Sequence, residues 1–331
     1  MDVKKEVTQA RPPNLISALL AGFDSITDHL GLLVLPIILD MFLWLGPRLR
    51  ITDLLLQTLE RLGVLAAPEG GQASGLILAG QEFWRSAAQQ INLFSALRSL
   101  PIGIPSLMAG ELPLEAPLSF GYIQIDSWPT AILLWLSFAL IGLIFGTLYF
   151  LATTQAALDG EINSGAILRI WPWTFTQIFI LTIAWILVIL LLSVPASFLL
   201  SLILSAGSIF GQVLLLIAGG FILWIFFPLI FSAHGIFVYH LKARNSLRKS
   251  IQLVQMTLPT TALFVLAWIV IDQGLGLLWQ IPAENSWLLL IGVIGHAFVA
   301  TGLLAASVIY YRDADRWIQA LLRQFNNSRL A

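Results

Sequence analysis

The feature that most constrains this chain is a run of 72 residues, 170–241, that contains no Asp, Glu, Lys or Arg. A water-soluble domain does not hold so long an uncharged run, because its outer face must be solvated. A lipid bilayer favours such a run, since its hydrocarbon core is about 30 Å thick and about 20 helical residues cross it. The run fits two crossings, with a turn at 205–208. The sequence therefore predicts a protein with several membrane spans.

Composition supports this prediction and excludes several classes of function. The chain is 58% hydrophobic and 11% charged, whereas soluble domains are about 25% charged. The formal net charge of −1 gives no reason to expect a nucleic-acid partner. Because the chain has no cysteine, disulfides, thiolate metal sites and cysteine nucleophiles are excluded. We expect no cofactor and no metal site.

The predicted fold is all-α: a polytopic transmembrane bundle of about six spans, with interfacial amphipathic helices and a small helical extramembrane region. Residues 1–29 contain an amphipathic helix with Leu15, Leu19 and Phe23 on one stripe, and such a helix usually lies in the headgroup plane. The first span is predicted at 30–46, and a C-terminal amphipathic helix at 312–331. The bundle at 129–311 holds five further spans, at 129–153, 174–204, 208–239, 258–281 and 286–311.

Residues 47–128 are the predicted extracytoplasmic region. Thr52 or Asp53 can cap a helix, and a second amphipathic segment is predicted at about 76–100. A linker is expected at 68–75. The prolines and glycines of 101–129 favour irregular or extended chain. We expect this region to form a helical cover that rests on the membrane face.

The distribution of Lys and Arg predicts the orientation. With six spans, both termini and the loops 154–173 and 241–257 share one side and carry 12 basic residues, against five on the opposite side. Loops rich in Lys and Arg stay in the cytoplasm. Both termini are therefore predicted to be cytoplasmic, in a cell membrane of the bacterial inner-membrane type.

Basic residues stand beside apolar stripes in two segments, 242–254 and 316–325. Such segments bind anionic lipid surfaces, so we expect lipid headgroup contacts there. An ordinary positive-inside anchor without lipid preference is the alternative. The expected contact residues are Lys242, Arg244, Arg248, Lys249, Arg316 and Arg323.

One of these segments also carries a resemblance. Residues 246–254, with the sequence SLRKSIQLV, lead into the fifth span. They resemble a signature of bacterial six-span membrane domains related to the glycerophosphoryl diester phosphodiesterase membrane domain. Those domains also tend to begin with an interfacial helix before a proline-bearing first span, as the stretch from Leu15 to Pro36 does. The catalytic phosphodiesterase domain has no counterpart in these residues, so the resemblance implies the fold and not the activity.

Ionisable residues within predicted spans are the main candidates for chemistry, since each is costly in hydrocarbon. Counted from the outer ends of their spans, Asp40, Asp272 and His296 lie about 9, 14 and 15 Å deep at 1.5 Å per residue. We predict that these three form a buried polar cluster suited to a proton relay. The alternative is that each is a separate packing or snorkelling residue. His234 and His240 are expected nearer the cytoplasmic interface.

Other patterns concern packing and motifs. Gly142 and Gly146 have the spacing of a close helix–helix contact. The chain contains none of the nucleophile, zinc-protease or nucleotide-binding motifs, so no catalytic residue is assigned and no enzyme is expected.

Two hypotheses about function follow from the sequence. In the first, the protein is a non-catalytic scaffold, assembly or accessory component whose partners are the lipid bilayer and other membrane proteins. In the second, it is a transporter, or handles a small molecule, lipid or proton, through Asp40, Asp272 and His296. A cavity lined by these three residues would favour the second hypothesis.

Overall fold

The computed structural model describes residues 12–63, 75–99, 101–109, 116–118, 120–205 and 208–330. Its first helix is α1 (Leu15–Asp28). The side-chain oxygen of Asn14 accepts hydrogen bonds from the backbone N–H groups of Ile16 and Ser17, at 2.9 and 3.4 Å. These bonds satisfy two of the N–H groups that a helix start leaves without helical partners, which explains why the helix begins there.

The predicted first span is shorter than a full crossing. It consists of a 3₁₀ helix of 4 residues (Leu30–Leu33) and helix α2 (Val34–Leu45) of 12 residues, fewer than the 20 or so residues that a crossing needs. Helix α1 meets this pair at a bend of 90°. Pro36 lies in the first turn of α2, where its missing N–H breaks no helical hydrogen bond.

The connection from α2 to the next long helix contains strands as well as helices. Two short strands pair in parallel, with Leu49 opposite Ile123, and the sequence did not predict this pair. The segment predicted as one helix at 76–100 is divided at Asn92, which caps a 3₁₀ helix. The linker predicted at 68–75 lies, apart from Gly75, outside the described residues. The elements are β1 (Arg48–Arg50), α3 (Thr52–Arg61), α4 (Gly75–Gln90), the 3₁₀ helix Leu93–Arg98 and β2 (Tyr122–Gln124).

The rest of the chain is helical. Helix α11 is continuous through residue 311, where the sequence predicts the boundary of a separate C-terminal helix, because the chain has no Gly or Pro there to end it. The helices are α5 (Trp128–Asp159), α6 (Ser164–Ser205), α7 (Ser208–Phe226), α8 (His234–Tyr239), α9 (Ala243–Met256), α10 (Leu258–Trp279) and α11 (Leu289–Leu330).

Within the described residues, five helices are long and apolar enough to cross a membrane, or six if the bent pair at the N-terminus is one span. The all-α membrane bundle predicted from the sequence is therefore confirmed. The five candidate spans are Trp128–Asp159, Ser164–Ser197, Val213–Tyr239, Leu258–Trp279 and Leu289–Gln324.

Helix α11 lies at the centre of the bundle, in contact with α1, α2, α5 and α10. Its inward residues Leu303, Ala306 and Tyr310 are fully buried. Small residues allow α1 to cross α11 closely, since a Cβ on Gly22 would lie 2.5 Å from the backbone nitrogen of Ala306. By contrast, α6 and α7 pack against each other and expose large apolar side chains such as Leu191 and Leu216.

Candidate functional site

The connection between α2 and α5 sends one segment into the helix bundle. We call residues 92–109 the inserted segment; all of them except Leu100 are described. A Cβ on Gly142 of α5 would lie 2.1 Å from the carbonyl oxygen of Leu97, and one on Gly146 would lie 3.3 Å from that of Ile102. The two glycines thus accommodate the backbone of this segment. The close contact predicted from their spacing is real, but its partner is the inserted segment, including its short 3₁₀ helix, and not another membrane span.

The position of this contact along α5 places the segment at membrane depth. Helix α5 has 32 residues, and a crossing takes about 20 of them. Any stretch of about 20 residues within α5 includes both Gly142 and Gly146. The inserted segment therefore lies beside any stretch of α5 that is long enough to cross a membrane.

A compact turn forms the deepest part of the inserted segment. Ser99 has a positive φ of 38°, and its hydroxyl donates to the carbonyl oxygen of Ile102 at 2.6 Å. A Cβ on Gly103 would overlap the carbonyl oxygen of Arg98, so only glycine fits there. Ile102 is fully buried.

Asp40 of α2 binds the C-terminal part of the inserted segment, at residues 106–108. Its carboxylate accepts hydrogen bonds from the Ser106 hydroxyl at 2.5 Å and from the backbone N–H groups of Leu107 and Met108, both at 3.0 Å. The Ser106 hydroxyl oxygen also accepts from the N–H of Ala109 at 3.0 Å. Asp40 is fully buried. Its carboxylate therefore has a structural role that needs neither Asp272 nor His296.

Asn92 and Phe94 fix the entry of the inserted segment. The side-chain oxygen of Asn92 accepts from the N–H groups of Leu49 in β1, at 3.0 Å, and Phe94, at 3.3 Å. The ring of Phe94 lies between Phe42 of α2 and Phe138 of α5, with centroid distances of 4.9 and 4.7 Å. Both ends of the segment are thus bound to neighbouring elements.

His296 lies within electrostatic range of Asp272 and of Arg98 in the inserted segment, and Asp40 lies within range of Arg98. Asp272 accepts a hydrogen bond at 3.0 Å from the neighbouring side chain of Gln273. Among the described residues, no hydrogen bond joins any two of the three residues predicted to form the cluster.

Arg98 is the residue that sequence reasoning missed. Its charge was assigned to the extracytoplasmic region, where arginine is ordinary. The sequence around Arg98 contains a signal for its position. Arg98 stands near Pro101 and Gly103, at the end of an amphipathic segment that is too apolar for a surface loop. The Arg98 side chain is exposed and forms no hydrogen bond or ion pair with a described residue.

His234 packs within the bundle, whereas His240 lies on the surface. His234 is partly buried, with Nε2 2.9 Å from the hydroxyl oxygen of Ser307. That hydroxyl donates to the carbonyl oxygen of Leu304, so Nε2 carries the proton. His240 is exposed and has a positive φ of 51° at the end of α8. The expected position of His234 near the cytoplasmic interface stays a prediction.

Helix α9 docks on a break in the candidate span Val213–Tyr239. Pro228 interrupts the helix after α7, and two serines of α9 satisfy carbonyls at the break. Ser250 donates to the carbonyl oxygen of Pro228 at 2.8 Å, and Ser246 donates to that of Ser232 at 2.6 Å. Gly235 makes this approach possible, because a Cβ there would lie 2.5 Å from the Ser246 hydroxyl oxygen.

A cleft of about 350 Å³ lies between α9 and the end of α11, which we call the α9–α11 cleft. Lys249 forms an ion pair of 2.8 Å with Asp315, and its ammonium group lies 4.0 Å from the centroid of the Tyr239 ring. Arg248 also lines the cleft, but it is exposed and pairs with no described residue. Apolar side chains of Leu241, Leu253 and Ile318 complete the lining.

The other predicted lipid contacts lie on exposed surface. Lys242 and Arg244 are exposed at the start of α9, and Arg316 and Arg323 are exposed along α11. None of these four lines the cleft. In the part of the chain that the structure describes, no group of three His, Asp or Glu side chains is placed to hold a metal ion.

Comparison of the chain with protein-family models, with curated proteins and with solved structures found no match.

Proposed function

We propose that this is a multi-pass protein of a cell membrane of the bacterial inner-membrane type, and that both termini lie in the cytoplasm. In this proposal it is a non-catalytic accessory or scaffold component that holds anionic phospholipid headgroups in the α9–α11 cleft. The proposed orientation is supported by the 12 basic residues on the side of the termini, against five on the other. The resemblance of residues 246–254 to six-span membrane domains remains part of the proposal.

The observation that carries the proposal is the composition of the α9–α11 cleft. Helix α9 lies between two candidate spans, Val213–Tyr239 and Leu258–Trp279, so the cleft is close to a membrane surface. Its volume of about 350 Å³ is within the range of small-molecule sites. It combines apolar side chains with the guanidinium of Arg248, which pairs with no described residue, and this combination suits a phosphate joined to acyl chains.

The two basic residues of the cleft have different roles. The charge of Lys249 is compensated by Asp315 and by the Tyr239 ring. Lys249 therefore fixes α9 against α11. No described residue compensates the charge of Arg248 in this way, and its planar guanidinium can bind two phosphate oxygens at once. Arg248 is the proposed headgroup contact.

The Arg248→Gln substitution tests this proposal. In full-length protein reconstituted in nanodiscs, it should weaken retention of phosphatidylglycerol about fivefold, since a basic residue near an anionic surface contributes about 1 kcal/mol. Retention of phosphatidylcholine should not change. Lipid retained by the protein is counted by native mass spectrometry.

Arg244→Gln is the matched control, because Arg244 is an exposed arginine on the same helix that does not line the cleft. It should change retention much less than Arg248→Gln. Equal losses for the two variants would show that only the general positive charge of α9 matters. That result would contradict a specific headgroup site.

A further inference from the structure

A second site is indicated on different residues, at the inserted segment. Arg98 follows Leu97, whose carbonyl oxygen touches the backbone of Gly142 at membrane depth. The Arg98 side chain is nevertheless exposed. A charged side chain at this depth is costly unless a partner or water compensates it, and such residues tend to mark functional sites.

The two nearby carboxylates do not neutralise Arg98 directly. The Asp40 carboxylate accepts three hydrogen bonds, all from residues 106–108. Asp272 is hydrogen-bonded by Gln273. Neither forms an ion pair with Arg98, although Asp40 is close enough to interact with it electrostatically. Among the described residues, the guanidinium donors of Arg98 therefore have no acceptor, which leaves them for a ligand in this proposal.

Other polar groups without partners lie on the neighbouring helices. The Nδ1 atom of His296 and the indole Nε1 of Trp279 are buried, and neither has a hydrogen-bond partner among the described residues. The Trp279 ring lies against Gly295, the residue before His296, since a Cβ there would be 2.7 Å from the ring. An indole N–H can only donate. Buried groups of this kind usually have a partner.

We propose that Arg98, His296 and Trp279 bind a phosphate-type anion inside the bundle. Arg98 supplies the charge and a planar pair of donors, which match two phosphate oxygens. Trp279 and His296 each add a single donor, with the His296 proton on Nδ1. An anionic phospholipid and a free phosphate share this chemistry, and the experiment distinguishes the two sources.

The proposal is tested in full-length protein carrying Arg248→Gln, so that lipid bound in the α9–α11 cleft does not contribute to the signal. In nanodiscs of phosphatidylcholine and phosphatidylglycerol, Arg98→Gln should lower retained phosphatidylglycerol at least fivefold. Arg85→Gln is the matched control, because Arg85 is an exposed arginine of α4 in the same connection. It should retain as much as the parent.

A conservative variant separates binding from folding. Trp279→Phe removes the indole N–H together with the ring atoms that lie against Gly295, so its midpoint temperature of unfolding is first measured in phosphatidylcholine alone to show that it folds. The folded variant should retain several-fold less phosphatidylglycerol. This variant decides the question if Arg98→Gln does not fold. Retention equal to the parent in Trp279→Phe, or in folded Arg98→Gln, would overturn the proposal.

The source of the anion is decided in detergent. Inorganic phosphate that raises the midpoint temperature of the parent, but not that of Trp279→Phe, would assign the site to a soluble anion. A rise with phosphatidylglycerol alone would assign it to lipid. If neither probe raises the midpoint temperature of the parent above that of Trp279→Phe, no anion site exists there.

Discussion

Replacing Asp40 with alanine is expected to lower the free energy of unfolding by about 3 kcal/mol or more. The substitution removes the acceptor of the Ser106 hydroxyl and of the N–H groups of Leu107 and Met108. Each buried donor left without a partner costs about 1–3 kcal/mol, and Asp40 is fully buried. The free energy is measured by unfolding the protein in mixed micelles of a mild detergent and dodecyl sulfate.

Asp272→Ala is the matched control for this prediction. The Asp272 carboxylate is only partly buried, and the one hydrogen bond described for it comes from an exposed neighbour, Gln273. Its loss should change the free energy of unfolding by about 0.5 kcal/mol or less. A loss at Asp272 as large as that at Asp40 would contradict the assignment of Asp40 as the residue that holds the inserted segment.

The second large effect is expected from Gly142→Ala. The new Cβ would lie 2.1 Å from the Leu97 carbonyl oxygen, and a backbone atom cannot move away as a flexible side chain can. The inserted segment must therefore shift along its length. Overpacking of this kind costs about 1–3 kcal/mol, and we expect the upper end of that range in the same unfolding measurement.

Gly219→Ala provides the comparison, because no atom lies within 4 Å of a Cβ placed on Gly219 of α7. Alanine in an open helical position should stabilise the protein by up to about 1 kcal/mol. The two substitutions are chemically identical and should differ in sign. If Gly142→Ala also stabilises the protein, the inserted segment does not lie against α5.

The sequence was sufficient to predict the all-α bundle, because a membrane span is recognised from one contiguous stretch of apolar residues and needs no contact with distant parts of the chain. Charge-free runs such as 170–241 have one stable environment, the bilayer, whatever the rest of the chain does.

The inserted segment could not be predicted, because its contacts join residues far apart in the chain. Asp40 binds a loop more than sixty residues later, and nothing in its neighbouring sequence distinguishes this role from that of a relay carboxylate. The spacing of Gly142 and Gly146 predicts a close contact but not its partner, since small residues accept either a helix or an irregular backbone.

The candidate site was predicted only in part for the same reason. His296 and Asp272 were identified because ionisable residues are rare in spans. Arg98 was missed because residues 47–128 contain several charges and are predicted to lie outside the bilayer. In the α9–α11 cleft, the basic residues were identified, but the pairing of Lys249 with Asp315 depends on how α9 packs against α11.

The central claim is that the inserted segment lies at membrane depth beside α5. It is tested most directly by the distance between spin labels on Arg98→Cys and Asp159→Cys, since the native chain has no cysteine and both side chains are exposed. A label pair on Asp126→Cys and Asp159→Cys, which spans α5, gives the reference. At 1.5 Å per residue, the contact with Gly142 predicts about 26 Å for the first pair and about 50 Å for the reference. A first distance of about 45 Å or more would place the segment at the membrane surface and contradict the account.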